Sequence, residues 1–187
     1  MVTYDELKKG AQIIIDGQPY EIVESSLMFK GRGHSTLTAK LKNLLTGNAM
    51  SRTFQPSDAF KEAEILKFSA KFVYVHRENY VFSMADNSSK RFELERSQLG
   101  DNYRFLKTNQ SVEALQFKDK IINIVLPIKC AYRVSEAPPG IKGDRSQSGN
   151  KQVTIETGAV INVPLFVEQD DIVEINTESG EYVRRVE

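Results

Sequence analysis

The sequence predicts an all-β protein built from three small β-barrel domains. Short β-rich runs with period-two alternation are punctuated by turn residues about every 8 to 12 positions, the spacing of small barrels. The 187 residues divide into three such groups of about 60 residues each, a size at which single small domains fold. Only short stretches read as helix, and no apolar run approaches the roughly 20 residues that a membrane helix needs.

The first group is placed at residues 1–63. AQIIIDGQPYEIV sets Asp16-Gly17 between two β-rich runs, a dipeptide suited to a tight hairpin turn because both central residues need positive φ. EIVESSLM and STLTAKLKNLLT then pair across FKGRGHS. In the returning strand Leu37, Ala39 and Leu41 alternate with Thr38, Lys40 and Lys42, which puts the apolar set on one face and both lysines on the other. Thr46-Gly47 turns the chain into AMSRTF. After Gln55-Pro56, SDAFKEAEI reads as a polar linker with one helical turn capped by Ser57 or Asp58.

The second group is placed at 64–126. FSAKFVYVHRE turns at Glu78-Asn79 into YVFSMAD, and NSSK leads to RFELE. Asp101 to Lys107 is the best helix candidate, with Asp101 as its cap. VEALQFKDKIINIVLP reads as a hairpin turning at Lys118-Asp119. The third group, 127–187, has a strand AYRVSEA, a long loop PPGIKGDRSQSGNK, strand again in KQVTIETGAVINVPLFV, and a closing hairpin about Ser179-Gly180.

Net charge is zero, but the charges are not evenly spread. Between Ser25 and Ser57 there is no Asp or Glu, while Lys30, Arg32, Lys40, Lys42 and Arg52 give +5; from Pro127 onward ten acids face seven bases. A basic front and an acidic back suggest a molecule that presents one end to an anion, although chance clustering on a solvated face is the plain alternative. MVTYDELKKG has no apolar core behind a basic end, so no signal peptide is expected. The single cysteine, Cys130, excludes internal disulfides and fits a reducing compartment. A cytoplasmic monomer is the expectation.

Catalytic groups are few. His34 lies in the charged loop and His76 in an apolar strand, and neither has metal-ligand spacing. Cys130 has no histidine nearby in sequence and reads as a buried thiol. There is no phosphate-binding glycine motif, and no metal or cofactor is expected. Binding is better supported than catalysis. Lys40 and Lys42 lead toward Arg32, which stands between Gly31 and Gly33 with Lys30 and His34 outside them. A stalk of roughly six to eight extended residues carries such a tip about 20–25 Å from its base. Arginine's planar fork suits phosphates and its face stacks on bases. The same loop, taken alone, is also an ordinary hairpin tip.

DGQPYEIV, FKGRGH, KLKNLLTG, PPGIKGDRSQSGNK, TGAVINVPLFV and SGEYVRRV together resemble the bacterial elongation factor P family, in its order and spacing and over the whole chain. The resemblance implies an SH3-like, KOW-type first barrel and two OB-folds in an elongated L. It implies a non-enzymatic translation factor that binds both ribosomal subunits between the peptidyl-tRNA and exit sites and stimulates peptide-bond formation at consecutive prolines. Arg32 falls on the loop-tip position that reaches the CCA end of peptidyl-tRNA, and Gly31 and Gly33 match the flanking glycines. Lys30, His34, Lys40, Lys42 and Arg52 are placed against peptidyl-tRNA with it, the last three from charge and location. Lys142, Gly143, Asp144 and Arg145, with Tyr182 and Arg185, match family segments near the small subunit and exit site. Arg32 lacks the ε-amine modified in lysine-tip members. Rhamnosylation by an arginine rhamnosyltransferase and a bare guanidinium both remain open, because Lys30 and Gly33 replace the Ser and Asn usual in the rhamnosylated loops. A paralogous factor acting on a wider set of stalling motifs and a generic RNA-binding barrel protein are the alternatives.

Overall fold

The computed structural model describes residues 1–30, 34–138 and 149–186, without the side chains of Phe29, Lys30 and His34. Its sixteen strands among these residues form three antiparallel sheets, one for each group of turns in the sequence.

The first sheet has the order β1-β6-β2-β3-β4-β5, with β1 at Val2–Thr3, β2 at Gln12–Ile15, β3 at Gln18–Lys30, β4 at His34–Asn43, β5 at Ala49–Phe54 and β6 at Ala59–Glu62. β2 and β3 turn at Asp16-Gly17, with φ of 51° and 79°, the left-handed pair that the sequence predicts for a two-residue hairpin. Ile13, Ile15, Ile22, Leu37, Ala39, Leu41 and Phe54 bury the inner face with Tyr4 and Leu7. β6 replaces the helical turn expected in SDAFKEAEI. The Asp58 carboxylate accepts from Gln55 N–H at 2.9 Å and closes a turn. Phe60 then meets Phe54 edge-on at 5.2 Å between ring centres, and burying that ring decides the local structure.

The second sheet runs β11-β10-β7-β8-β9 and the third β14-β13-β12-β15-β16. In the second, β7 spans Ile65–His76, β8 Asn79–Met84, β9 Arg91–Glu95, β10 Ser111–Phe117 and β11 Lys120–Val125. In the third, β12 spans Lys129–Glu136, β13 Asn150–Ile155, β14 Val160–Pro164, β15 Ile172–Asn176 and β16 Glu181–Val186. Each sheet is a three-strand meander whose first strand also pairs with the fourth, and the fourth with the fifth, the shared connectivity of the two OB-folds. The β7–β8 turn falls at Arg77-Glu78, one residue before the expected place, and Arg77 takes φ of 57°. Helix α1, Arg96–Leu99, also starts earlier than expected and gives way to a 3-10 segment over Gly100–Phe105. Gln98 Oε1 accepts from Glu95 N–H at 3.0 Å, so the helix start is fixed there and Asp101 lies inside the helical segment.

The second and third barrels share one apolar core. It includes Phe72, Phe82, Leu94, Leu99 and Phe105 from one side and Tyr132, Val153, Ile155, Val173 and Ile175 from the other. Tyr132 O–H donates to the Phe105 carbonyl at 2.7 Å and accepts from Gln110 Nε2 at 3.3 Å. Thr157 Oγ1 donates to Arg104 O at 2.6 Å, and Lys107 Nζ to Ala131 O at 2.8 Å. The first barrel meets the second through a smaller cluster of Leu44, Ala63, Leu115, Phe117 and Ile122.

Tyr132→Phe keeps the ring and leaves the buried Phe105 carbonyl without its donor, so urea denaturation should show a loss of about 1–3 kcal/mol. Burial also pushes the Tyr132 phenol well above the ordinary tyrosine range. The folded state therefore resists ionisation that the unfolded chain undergoes near pH 10. The stability is fully present below that pH and is lost as pH rises toward the folded value. The difference between wild type and Tyr132→Phe should accordingly narrow above about pH 10.

Candidate nucleic-acid interface

The hairpin of β3 and β4 is the longest pairing in the molecule, running from Tyr20↔Asn43 to Lys30↔His34. Its neighbours stop short. β2 covers β3 only as far as Glu21, and β5 covers β4 only as far as Leu37. The three pairs beyond Leu27↔Leu37 stand without flanking strands, which extends the hairpin about 10 Å past its last support. Leu27 and Met28 are accordingly 45% and 56% exposed despite their apolar side chains. The backbone of His34 belongs to β4, opposite Lys30, so His34 is a strand residue and not a loop residue. Gly31, Arg32 and Gly33 lie outside the described residues, as do the side chains of Lys30 and His34.

Leu37, Ala39 and Leu41 are buried, while Lys40 and Lys42 are exposed on the opposite face, as the alternation predicts. The register adds what alternation could not show. An extra residue at Val23 shifts β3, so that Glu24 stands directly across from Lys40 and Glu21 across from Lys42. Opposite charges at such positions attract by roughly 0.2–1 kcal/mol. The lysines at the root of the hairpin thus have acids facing them across the strand pair.

Arg52 is not on the lysine face. It pairs with Ala39, on the side of the apolar residues, and its guanidinium lies 5.7 Å from the centre of the Phe54 ring. The three cations assigned together from charge are therefore divided between two faces: Lys40 and Lys42 on one, with the Thr38–Thr53 hydroxyl contact at 3.3 Å, and Arg52 on the other.

In the third barrel, Tyr182 pairs with Ile175 and packs half-buried against the shared core. Arg185 Nη1 donates to Asp171 Oδ2 at 3.4 Å, and its guanidinium stands 5.6 Å from the Phe166 ring centre. Arg184 points to the opposite face and holds Glu174 through Nε at 3.4 Å and Nη2 at 3.2 Å. Lys142, Gly143, Asp144 and Arg145 lie outside the described residues. Lys151 Nζ donates to Pro138 O at 3.0 Å beside the start of that loop. Cys130 is half-buried, with Gln110 Nε2 3.3 Å from its sulfur and Pro127 O at 3.4 Å. His76 is exposed on β7. Among the described residues no group of three or more His, Cys, Asp or Glu side chains is arranged to hold a metal, and no helix is long and apolar enough to cross a membrane.

The chain's relatives agree with this architecture. Residues 3–60 match the family described as the elongation factor P KOW-like domain, and residues 131–185 match elongation factor P, C-terminal. Elongation factor P of Desulfotalea psychrophila is 38% identical over 186 residues, covering 100% of this chain and 99% of that protein. The protein of the same name from Carboxydothermus hydrogenoformans is 34% identical and covers 100% of both. Among solved structures, eukaryotic translation initiation factor 5A from Methanococcus jannaschii superposes with a TM-score of 0.50 over 66% of this chain and 92% of its own, at 17% identity, a likeness of fold. The chain belongs to the elongation factor P family, whose members are translation elongation factors and not enzymes.

Proposed function

We propose that this protein binds the ribosome between the peptidyl-tRNA and exit sites and speeds peptide-bond formation at consecutive prolines, with Arg32 placed against the CCA end of the peptidyl-tRNA. The observation that carries this reading is the β3–β4 hairpin, which outruns both flanking strands and leads to Gly31-Arg32-Gly33 through a stretch without acids. Glycines beside the arginine allow close approach of backbone to another surface. A permanently charged guanidinium is unsuited to proton transfer near neutral pH, so its contribution is orientation: it holds a poorly reactive ester in a productive geometry while the ribosome supplies the chemistry.

The chain is divided here into an SH3-like first domain at 1–63, a central OB-fold at 64–126 and a C-terminal OB-fold at 127–187. The first contacts peptidyl-tRNA through Lys30 to His34 and the lysine face of β4, with Arg52 reaching a second surface. The third contacts the small subunit at the exit site through Lys142, Gly143, Asp144, Arg145, Tyr182 and Arg185. The compartment of action is the cytoplasm. Whether Arg32 carries a sugar is decided by the intact mass of the native protein, followed by a fragment mass spanning 27–42. An added deoxyhexose implies an arginine rhamnosyltransferase as a further partner.

Arg32→Ala should leave the fold intact and abolish rescue of a polyproline reporter in cells lacking their own factor; normal reporter output would overturn the tip assignment. Glu24→Gln removes the negative charge that faces Lys40 across the strand pair and should tighten ribosome co-sedimentation about two- to threefold at low salt. Lys40→Gln should weaken it by a similar factor, and both effects should fade as salt rises.

A further inference from the structure

β4 joins two ends of the first barrel. One end leads to the tip. At the other, after Asn43, the chain enters the turn Leu44–Gly47, which is where this barrel meets the second: Leu44 is buried against Leu115, Phe117 and Ile122. The position a Cβ would occupy on Gly47 lies 3.9 Å from the Gln98 carbonyl oxygen and the Gly100 Cα. The turn itself is firmly held. Asn43 Oδ1 accepts from Leu45 N–H at 2.8 Å and Thr46 N–H at 3.1 Å, Asn43 Nδ2 donates to Gln18 Oε1 at 2.6 Å, and Leu44 N–H donates to Pro19 O at 3.0 Å.

Nine residue steps along β4 separate the tip side from this turn, about 30 Å of extended chain. A rotation of about 10° at the junction therefore moves the tip by about 5 Å. Displacements of about 1 Å in a positioning group already cost on the order of a hundredfold in rate. Whatever fixes the junction angle aims the tip.

The apolar contact there is small and non-directional; the directional element is Asn123. It lies on β11 and is 5% exposed. One Nδ2 hydrogen is directed at Gln98 O at 2.9 Å, a carbonyl at the C-terminal end of α1. Nδ2 also reaches Leu44 O in the junction turn, a longer contact of 3.4 Å. Oδ1 is occupied by Ile124 N–H at 2.8 Å, which orients the amide so that its two hydrogens point outward. Among the described residues this is the side-chain hydrogen bond that crosses from the second barrel to the first.

We propose that Asn123 is a positioning residue for the tip: by tying the Leu44 turn to the end of α1, it sets the angle at which the first barrel leaves the second. This inference rests on the tip reading of Arg32. It needs no contact between Asn123 and RNA.

The test uses the full-length protein with spin labels on Lys9→Cys and Glu93→Cys, both exposed positions in separate barrels, and Cys130→Ser to remove the native thiol. Asn123→Ala and Asn123→Asp should each broaden the inter-label distance distribution relative to wild type. Leu44→Ala, which loosens the junction from the other side, should do the same. In a purified translation assay, the saturating rate of prolyl bond formation should fall roughly tenfold or more. The factor concentration giving half the effect should rise less than about threefold, because the contacting surfaces are untouched. An unchanged distance distribution in both Asn123 variants overturns the proposal. So does a broadened distribution with a normal saturating rate in an assay where Arg32→Ala is inactive. A normal rate in Arg32→Ala would sink the tip reading instead, and the distance measurement would still decide whether Asn123 sets the junction.

Discussion

The structure depends on one buried arrangement: the Tyr132 ring placed between two barrels, with its hydroxyl bonded to the Phe105 carbonyl and to the Gln110 amide. Two barrels of this size bury little apolar area alone. Joined around Tyr132 they share a single core running from Phe72 to Ile175. Lys107 reinforces the seam, since its ammonium lies 5.3 Å from the Tyr132 ring centre while bonding Ala131 O. The result is a two-barrel base on which a third, more lightly attached barrel can be carried. A long hairpin is useful as a pointer only if its mounting is stiffer than its own stalk.

Both OB-folds commit the same part of themselves to assembly. In this fold, the hairpin between the fourth and fifth strands often lines an oligonucleotide site. Here, in the second barrel, Phe117 at that hairpin enters the cluster that receives Leu44. In the third, Gly180 at the equivalent hairpin approaches the Phe105 ring, with 3.6 Å between that ring and the place of a Cβ. A side chain at Gly180 would meet a φ of 73°, while its Cβ would sit in ordinary contact with the ring. Each barrel thus uses its closing hairpin to grip the one before it. Among the described residues, that leaves the connection between the first and second strands of the second barrel, Arg77-Glu78, outside these contacts. Tyr182, in a closing strand, packs half-buried against the same shared core.

Much of the fold was legible because turns with two left-handed residues leave a clear mark. Asp16-Gly17 and Lys118-Asp119 were both found in this way, and Lys118 and Asp119 indeed have φ of 47° and 64°. Arg77 adopts a similar φ with no sequence sign, so its turn was placed one residue late. β6 was missed because four residues with a single inward aromatic, Phe60, give no periodicity; only its meeting with Phe54 makes it a strand. At the interface, alternation correctly separated Leu37, Ala39 and Leu41 from Lys40 and Lys42. It could not place Arg52, whose face depends on pairing with Ala39, or reveal that an extra residue at Val23 brings Glu24 opposite Lys40. Asn123 was invisible for the same reason: in IINIVLP it reads as one polar residue of a strand, and its partners are 25 and 79 residues away.

A chain of zero net charge gains little long-range attraction to a polyanion, and salt screens the field of its basic end beyond a Debye length of about 8–10 Å. What remains is where the cancellation occurs. At the hairpin root Glu21 and Glu24 face the lysines, and in the third barrel Glu174, 17% exposed, is held between Lys129 at 4.0 Å and Arg184 at 3.2 Å. The Glu174 carboxylate restrains flexible cations in fixed places, and at the hairpin root the acids across the strand pair lower the lysines' pull on RNA approaching from afar. A factor arranged in this way gains little from indiscriminate phosphate binding. Its selectivity then comes from reach and angle, which is the constraint that a stiff base, a narrow junction and an unsupported hairpin end are built to meet.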